Sequence, residues 1–278
     1  MTTPRVVITR AEDDAARWQA RLTQHGIGCE WVPLLRLQTI PPDPSWQPWW
    51  SAVRPDDAVF FVSAQAVRGA VAAFGSARWA AQLQRWAMGQ GPRCWVPGPG
   101  TAQALYEAGV PMGVVDAPAP DDGALDSEHL WNQVQPQVHA GMRLMVARGR
   151  AEYSDKAQGE GRDWLAQRCA RAGVEVTAVA LYERGAPQWT PAALEAWQRV
   201  YADTQAIWLV SSTQALQHAA SVAPAATWWG AARLLATHDR VARAALTMGW
   251  GQVKLCGGRA HEVVAAVKGW DDLPTIGA

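Results

Sequence analysis

Val6-Val7-Ile8-Thr9-Arg10 is a short β-branched run that stops at an arginine, and its repetition decides how the chain is read. It leads through a helix-like stretch to Gly26 and a second apolar run, Cys29-Glu30-Trp31-Val32-Pro33-Leu34-Leu35. Leu144-Met145-Val146-Ala147-Arg148-Gly149 begins the same way and leads to Gly173 and Val174-Glu175-Val176-Thr177-Ala178-Val179. A second element also recurs: Ala58-Val59-Phe60-Phe61-Val62-Ser63-Ala64-Gln65 parallels Ala206-Ile207-Trp208-Leu209-Val210-Ser211-Ser212-Thr213-Gln214. A third pairs Trp95-Val96-Pro97-Gly98-Pro99-Gly100-Thr101-Ala102, running to Gly109, with Leu235-Ala236-Thr237-His238-Asp239-Arg240-Val241-Ala242, running to Gly249. Arg10 and Arg148, Ser63 and Ser211, and Gly109 and Gly249 stand 138, 148 and 140 positions apart. Matching elements in one order and at nearly one spacing point to two related α/β units. An apolar strand that ends in a small polar residue just before a helix is where such folds place ligands.

The strand–helix alternation predicts parallel sheets. Helices are expected over residues 12–25, 64–74, 101–108, 213–220 and 240–248, and a further one from Ser127 through Gln135. The first carries Glu12, Asp13 and Asp14 in its opening turn, suited to a helix dipole. Ser63, Ser211-Ser212 and Thr237-His238-Asp239 are cap-forming types ahead of others. Residues 38–57, rich in Pro and Trp, read as a connection with a short surface element. Residues 149–163 read as an extended polar loop, and residues 116–127 as a Pro/Asp/Gly loop.

Composition narrows the function. At 278 residues the chain can hold two domains of ordinary size. Half of it is apolar, yet no run approaches the roughly 20 residues that span a bilayer. The start runs straight into a strand with no basic and apolar leader, so a cytoplasmic protein is expected. Formal net charge is zero, unlike a general nucleic-acid binder with its basic surplus. Cys29, Cys94, Cys169 and Cys256 form no C-x-x-C pair and read as reduced thiols. The 17 tryptophans, among them Trp46/Trp49/Trp50 and Trp228/Trp229, either stack on a flat ligand or replace other aromatics throughout the core.

The glycine turn Gly98-Pro99-Gly100-Thr101 invites a nucleotide reading, but position 103 is Gln where a dinucleotide fingerprint needs glycine. A helix-N-terminal carboxylate site fits it better. The six histidines are isolated, and His261-Glu262 lacks a second His at helical spacing, so no metal is expected. No G-x-S-x-G elbow exists. Ser63, Ser211 and Ser212 therefore serve as helix caps or as hydrogen-bond partners of a ligand. Leu181-Tyr182-Glu183-Arg184 ends a strand at a tyrosine, whose phenol can donate a hydrogen bond or a proton while neutral at pH 7. An aromatic with a wet hydroxyl at a domain junction is the alternative.

Taken together, these motifs resemble the uroporphyrinogen-III synthase family. The resemblance is carried by Ile8-Thr9-Arg10, Phe61 to Val67, Val96 to Ala102, Val146-Ala147-Arg148-Gly149, Leu181-Tyr182-Glu183-Arg184, Leu209-Val210-Ser211-Ser212 and Thr237 to Ala242. It implies two parallel-sheet α/β domains joined by two extended linkers, with a ligand cleft between them. Residues 1–37 and 181–278 would form one domain and residues 38–180 the other, with crossings near residues 36–42 and Val179–Tyr182. It implies a cofactor-independent hydro-lyase that closes linear hydroxymethylbilane with loss of water and inversion of the last pyrrole ring. The path runs through an azafulvene-type cation and a spiro intermediate.

In that family a tyrosine matching Tyr182 is the best candidate for assisting departure of the hydroxyl. Arg10, Ser63, Gly100, Thr101, Arg148, Ser211, Ser212 and Arg240 match positions expected to take the substrate's carboxylates. The implied partner is the small linear tetrapyrrole, with no nucleic acid and no membrane. The protein is expected to be a monomer in transient contact with the preceding pathway enzyme. One departure is Val241, where many relatives carry threonine; Thr237, His238 or Arg240 would substitute. Two other readings remain: a non-catalytic two-lobed tetrapyrrole-binding or sensor module of the same fold, and a nucleotide-sugar or dinucleotide enzyme.

Overall fold

The structure, a computed structural model, describes residues 5–118, 127–152, 154, 156, 158–159, 164–201, 203–222 and 230–276. The chain opens with β1 (Val6–Ile8), α1 (Glu12–Gln24), β2 (Cys29–Trp31) and β3 (Arg36–Thr39). It continues with α2 (Trp46–Ser51), β4 (Ala58–Phe61), α3 (Ala64–Ala87), β5 (Arg93–Trp95), α4 (Pro99–Glu107) and β6 (Val115–Asp116). Then come α5 (Ser127–Val134), β7 (Arg143–Ala151), α6 (Trp164–Arg171), β8 (Glu175–Gly185) and α7 (Pro191–Tyr201). The last elements are β9 (Ile207–Val210), α8 (Thr213–Val222), β10 (Arg233–Ala236), α9 (Asp239–Thr247), β11 (Gln252–Leu255) and α10 (Ala260–Lys268).

The chain divides into two compact units, Met1–Arg36 with Gly185–Ala278, and Leu37–Arg184. Among the described residues the first holds a five-stranded sheet in the order β11-β10-β9-β1-β2, parallel throughout. The second holds a six-stranded sheet, β3-β8-β7-β4-β5-β6, parallel from β8 to β6. The mixed α/β class with parallel sheets is thus as the alternation predicts.

The two strand orders are the same pattern. Counted along the chain within the first unit, the order is 2-1-3-4-5. In the second unit the pattern returns if β7 is taken as the first strand: β8-β7-β4-β5-β6. β7 therefore stands where β1 stands, and β4 where β9 stands. The repeats seen along the chain are exchanged between units, since the Arg10 strand pairs with the Ser211 strand and the Ser63 strand with the Arg148 strand. In this strand order ligands bind at the carboxyl ends where the winding reverses, between β1 and β9 and between β7 and β4.

Each sheet is buried on both faces, as parallel sheets require. In the second unit Val59, Phe61, Met145, Ala147 and Val179 pack under α2, α3 and α4, while Phe60, Leu144 and Val146 face α5 and α6. In the first, Val7, Trp208 and Leu234 share a core with α7, α8 and α9, and Ile8, Leu209 and Leu235 share one with α1 and α10.

The surface element expected within residues 38–57 is instead core. Trp46, Trp49 and Trp50 lie at i, i+3 and i+4 of α2 and are buried against Phe74, Trp79 and Trp86. Trp46 meets Trp50 edge-on at 5.4 Å, and Trp50 meets Phe74 at 4.9 Å, the geometry favoured by aromatic quadrupoles. The composition looked like a connection because Pro and polar residues flank a single helical turn and a half. α3 passes the expected end at residue 74 because Gly75, at φ 68°, turns the chain and lets the helix resume to Ala87. Trp228 and Trp229 lie outside the described residues, as do parts of the expected loops at 116–127 and 149–163; β7 runs on through Ala151.

Candidate active site

Tyr182 owes its place to a break in strand register. β7 and β8 run residue for residue from Arg143–Glu175 to Arg148–Ala180, and then Gly149 pairs with Tyr182, skipping Leu181. A bulge of this kind puts two successive side chains on one face. Leu181 and Tyr182 accordingly both join the core beneath α3 and α4. Tyr182 is only 4% exposed. Its ring lies over Gly149, so close that a Cβ there would collide with the ring carbons Cε2 and Cζ. Glycine at 149 is what leaves room for the phenol.

The phenol oxygen is 3.0 Å from Ser63 Oγ. Ser63 ends β4 and caps α3, its Oγ accepting from the Ala66 N–H at 3.2 Å. Capping and ligation were alternatives for this serine, and the cap is present. Either hydroxyl can donate in this pair, and when the serine donates, the phenol O–H is left to point at a third group. The arrangement is a short relay from a helix N-terminus to a phenol, sited where β4 and β7 end.

The Gly98-Pro99-Gly100-Thr101 turn begins α4 just beyond β5. Gly98 is the cap, Pro99 takes the first turn, and the Ala102 N–H returns to Gly98 O at 3.2 Å. Gly100 faces open space and Thr101 is 7% exposed. The Thr101 hydroxyl makes no hydrogen bond among the described residues. Backbone N–H groups of a helix start beside a hydroxyl suit an anionic group.

Arg148 goes elsewhere. Alternation along β7 sends it to the face of Leu144 and Val146, where it is buried and donates from Nε to Gln158 O at 2.7 Å. It sits away from the Tyr182 face. Next along both strands, Arg150 grips Glu183 at 2.7 and 2.9 Å and braces the strand ends around the tyrosine.

The first unit gathers its own set. Thr9 Oγ1 donates to Leu209 O at 2.8 Å and ties the ends of β1 and β9 together. Arg10 follows, paired with Asp14 at 2.7 Å and stacked on Trp18 at 4.7 Å, with its Nε buried and unbonded. Ser211 and Ser212 are half-buried and make no hydrogen bond among the described residues. His238 caps α9 through Nδ1, accepting from the Arg240 N–H at 3.1 Å, and the Arg240 side chain is exposed. Val241, on α9, is buried in the core it shares with α8, so it presents no polar group.

Two features escaped the sequence reading. Gly149 stands in a quoted motif, but only the bulge reveals that it seats Tyr182. His218, whose Nδ1 lies 2.7 Å from Leu34 O, holds the segment after β2 and carries no motif at all. The four thiols are free, and burial pushes Cys29 and Cys169 up to about 11 and Cys256 to about 12, with Cys94 higher still. Such thiols are poor nucleophiles. Among the described residues no group of His, Cys, Asp or Glu could hold a metal ion, and no helix is long and apolar enough to cross a membrane.

Paired α/β units of one strand order, the chain leaving the first to build the second and then returning, define a class of two-unit parallel-sheet proteins with polar groups at strand ends. The family model described as uroporphyrinogen-III synthase HemD matches residues 16–255, and the chain belongs to the uroporphyrinogen-III synthase family. That membership favours the enzyme over the non-catalytic module.

Two solved structures share the fold. The uroporphyrinogen-III synthetase from Helicobacter pylori is 12% identical, with 95% of this chain and 99% of that one covered and a TM-score of 0.57. A mutant uroporphyrinogen III synthase from Thermus thermophilus is 16% identical, with 97% and 98% covered and a TM-score of 0.50. No curated protein matches the chain.

Proposed function

We propose that this chain closes hydroxymethylbilane to uroporphyrinogen III as a hydro-lyase that needs no cofactor, with Tyr182 as the group that assists departure of the hydroxyl. The observation that carries this is the phenol seated over Gly149 and held by Ser63, which is itself bonded to a helix N-terminus. The phenol donates its proton to the leaving hydroxyl, water departs, and an azafulvene-type cation remains. The substituted carbon of the last ring attacks that cation to give the spiro intermediate, which reopens and recloses with the ring inverted. Reclosure releases a proton, so the net change is loss of one water.

Gly100 and Thr101 in one unit, and Arg10, Ser211, Ser212 and Arg240 in the other, are groups that take substrate carboxylates, while Ser63 orients the phenol. Hydroxyls, backbone N–H groups and arginines after strand ends support that role. Holding a flexible chain so that one carbon is favoured for attack is itself a large source of rate. Arg148, engaged with Gln158, supports the strand end rather than the substrate in this reading. The enzyme works as a cytoplasmic monomer that meets the preceding pathway enzyme only transiently, the location being the one that the unpaired thiols support.

The test is an assay with freshly made hydroxymethylbilane, whose spontaneous closure gives the uninverted isomer I. Wild type should give isomer III. Tyr182→Phe should lower kcat about tenfold or somewhat more, less than the roughly 10²–10⁴-fold of a typical positioned proton donor because the leaving group ionises readily and water can replace the phenol. It should still give isomer III. Full activity in Tyr182→Phe removes the proton-donor role, and isomer I from a folded variant assigns the tyrosine to substrate shape instead.

A further inference from the structure

Arg233 and Lys254 lie on neighbouring strands of the first unit. The register sets Arg233 beside Gln252 and Leu235 beside Lys254, so the two cations occupy diagonal positions on one face of the sheet. Both meet the ring of Trp270, just after α10: Lys254 Nζ is 4.8 Å from its centre and the Arg233 guanidinium carbon 5.8 Å. Trp270 is 4% exposed and Lys254 6%.

Like charges placed this way repel, and a buried ammonium needs a counter-charge. Among the described residues neither cation has an ion pair. Asp271 and Asp272 follow Trp270 but are exposed and pair with neither. Lys254 Nζ donates to Trp270 O, and Arg233 Nε is fully buried with no acceptor. The carboxyl end of α10 contributes about half a negative charge, which leaves most of the two positive charges unmatched. Arg233 is only half-buried, so the outer edge of the cluster reaches solvent.

We propose that Arg233, Lys254 and Trp270 form a binding site for a small oxyanion, a phosphate or a carboxylate. The anion accepts from the Arg233 guanidinium where the cluster reaches solvent, and from the Lys254 ammonium, and restores the charge balance over Trp270. Arg233 opens β10, and the polar groups expected to hold substrate begin at Thr237, about 13 Å further along the strand. The site is therefore separate from the substrate groups. Its occupancy ties the segment after α10 to β10 and β11, whose outer edge is already held by Ile276 N–H donating to Val253 O at 2.9 Å.

The full chain is titrated with inorganic phosphate and, separately, with acetate, at constant ionic strength kept with chloride, while the thermal midpoint is read. A saturable rise beyond chloride is expected in wild type, and the ion with the lower half-saturation identifies the natural chemistry. Lys254→Met and Arg233→Gln should each raise the half-saturation about tenfold or abolish the shift. Without added oxyanion, Lys254→Met should be at least as stable as wild type, because an unmatched charge is gone. No saturable shift in wild type overturns the proposal whatever the variants do. An equal shift in wild type and in either folded variant places the anion elsewhere and overturns it as well.

Discussion

Gly149 and Tyr182 face each other across β7 and β8, with the phenol ring filling the space that any side chain at 149 would claim. The pairing depends on a register shift and on the absence of a Cβ. Gly149→Ala should therefore push the ring off Ser63. Overpacking of this kind costs about 1–3 kcal/mol of stability. Activity should fall at least as far as in Tyr182→Phe. In the double variant Gly149→Ala/Tyr182→Phe the two losses in kcat should not add, because both act on one hydroxyl. Additive losses would show that Gly149 matters for something other than the tyrosine.

Ser63 does two jobs that can be separated. Ser63→Ala removes the α3 cap, at about 1 kcal/mol, and the partner of the phenol. Ser63→Thr keeps both hydrogen bonds. Alanine should lower kcat and the thermal midpoint together, and threonine should restore the midpoint. A rise in KM with unchanged kcat would mean that the serine binds a substrate carboxylate and does not orient Tyr182.

Thr101→Val tests the glycine turn. The hydroxyl is nearly buried and makes no internal bond, so the variant should fold with unchanged stability. Loss of one hydrogen bond to an ionised group removes roughly 1.5–3 kcal/mol of binding, seen as a higher KM or lower kcat/KM for hydroxymethylbilane. Unchanged kinetics would exclude Thr101 from the site.

Asp57 is a structural control far from this chemistry. Its side chain is 0% exposed and accepts from the Arg54 and Arg143 backbones and side chains. Burial pushes the carboxyl up, but the hydrogen bonds from Arg54 and Arg143 outweigh it and hold it below the usual carboxylate range. A group whose folded pKa is depressed contributes stability above its unfolded value near 4, and loses it as pH falls through the folded value. Asp57→Asn should cost about 2–3 kcal/mol at pH 7, below the value for a fully enclosed pair because the arginines reach water. The gap in urea unfolding between wild type and variant should shrink towards pH 3. A gap constant with pH would point to lost packing rather than lost charge.

Much of this was readable in one dimension. Apolar runs ending at Arg10, Ser63 and Ser211 are strands whether or not their neighbours are known, and Ser63 reads as a cap because its hydroxyl serves residues three positions away. Local hydrogen bonding and side-chain periodicity act within a few residues, so the α/β class, most helix starts and the repeat are already written in the order of residues. Trp46, Trp49 and Trp50 could not be assigned to a core that way, because their partners Phe74, Trp79 and Trp86 come from a later helix that resumes only after Gly75.

Which strands become partners is settled only when the chain is folded. Val6 pairs with Ile207, and Ala58 with Leu144, so that each repeat is completed by the other half of the chain. Backbone groups pair alike whatever side chains they carry, and partners so far apart leave no local trace of the choice. The skipped Leu181 is of the same kind. Alternation along β8 would send Leu181 and Tyr182 to opposite faces, and only the register against β7 turns both to one side and brings the phenol to Ser63.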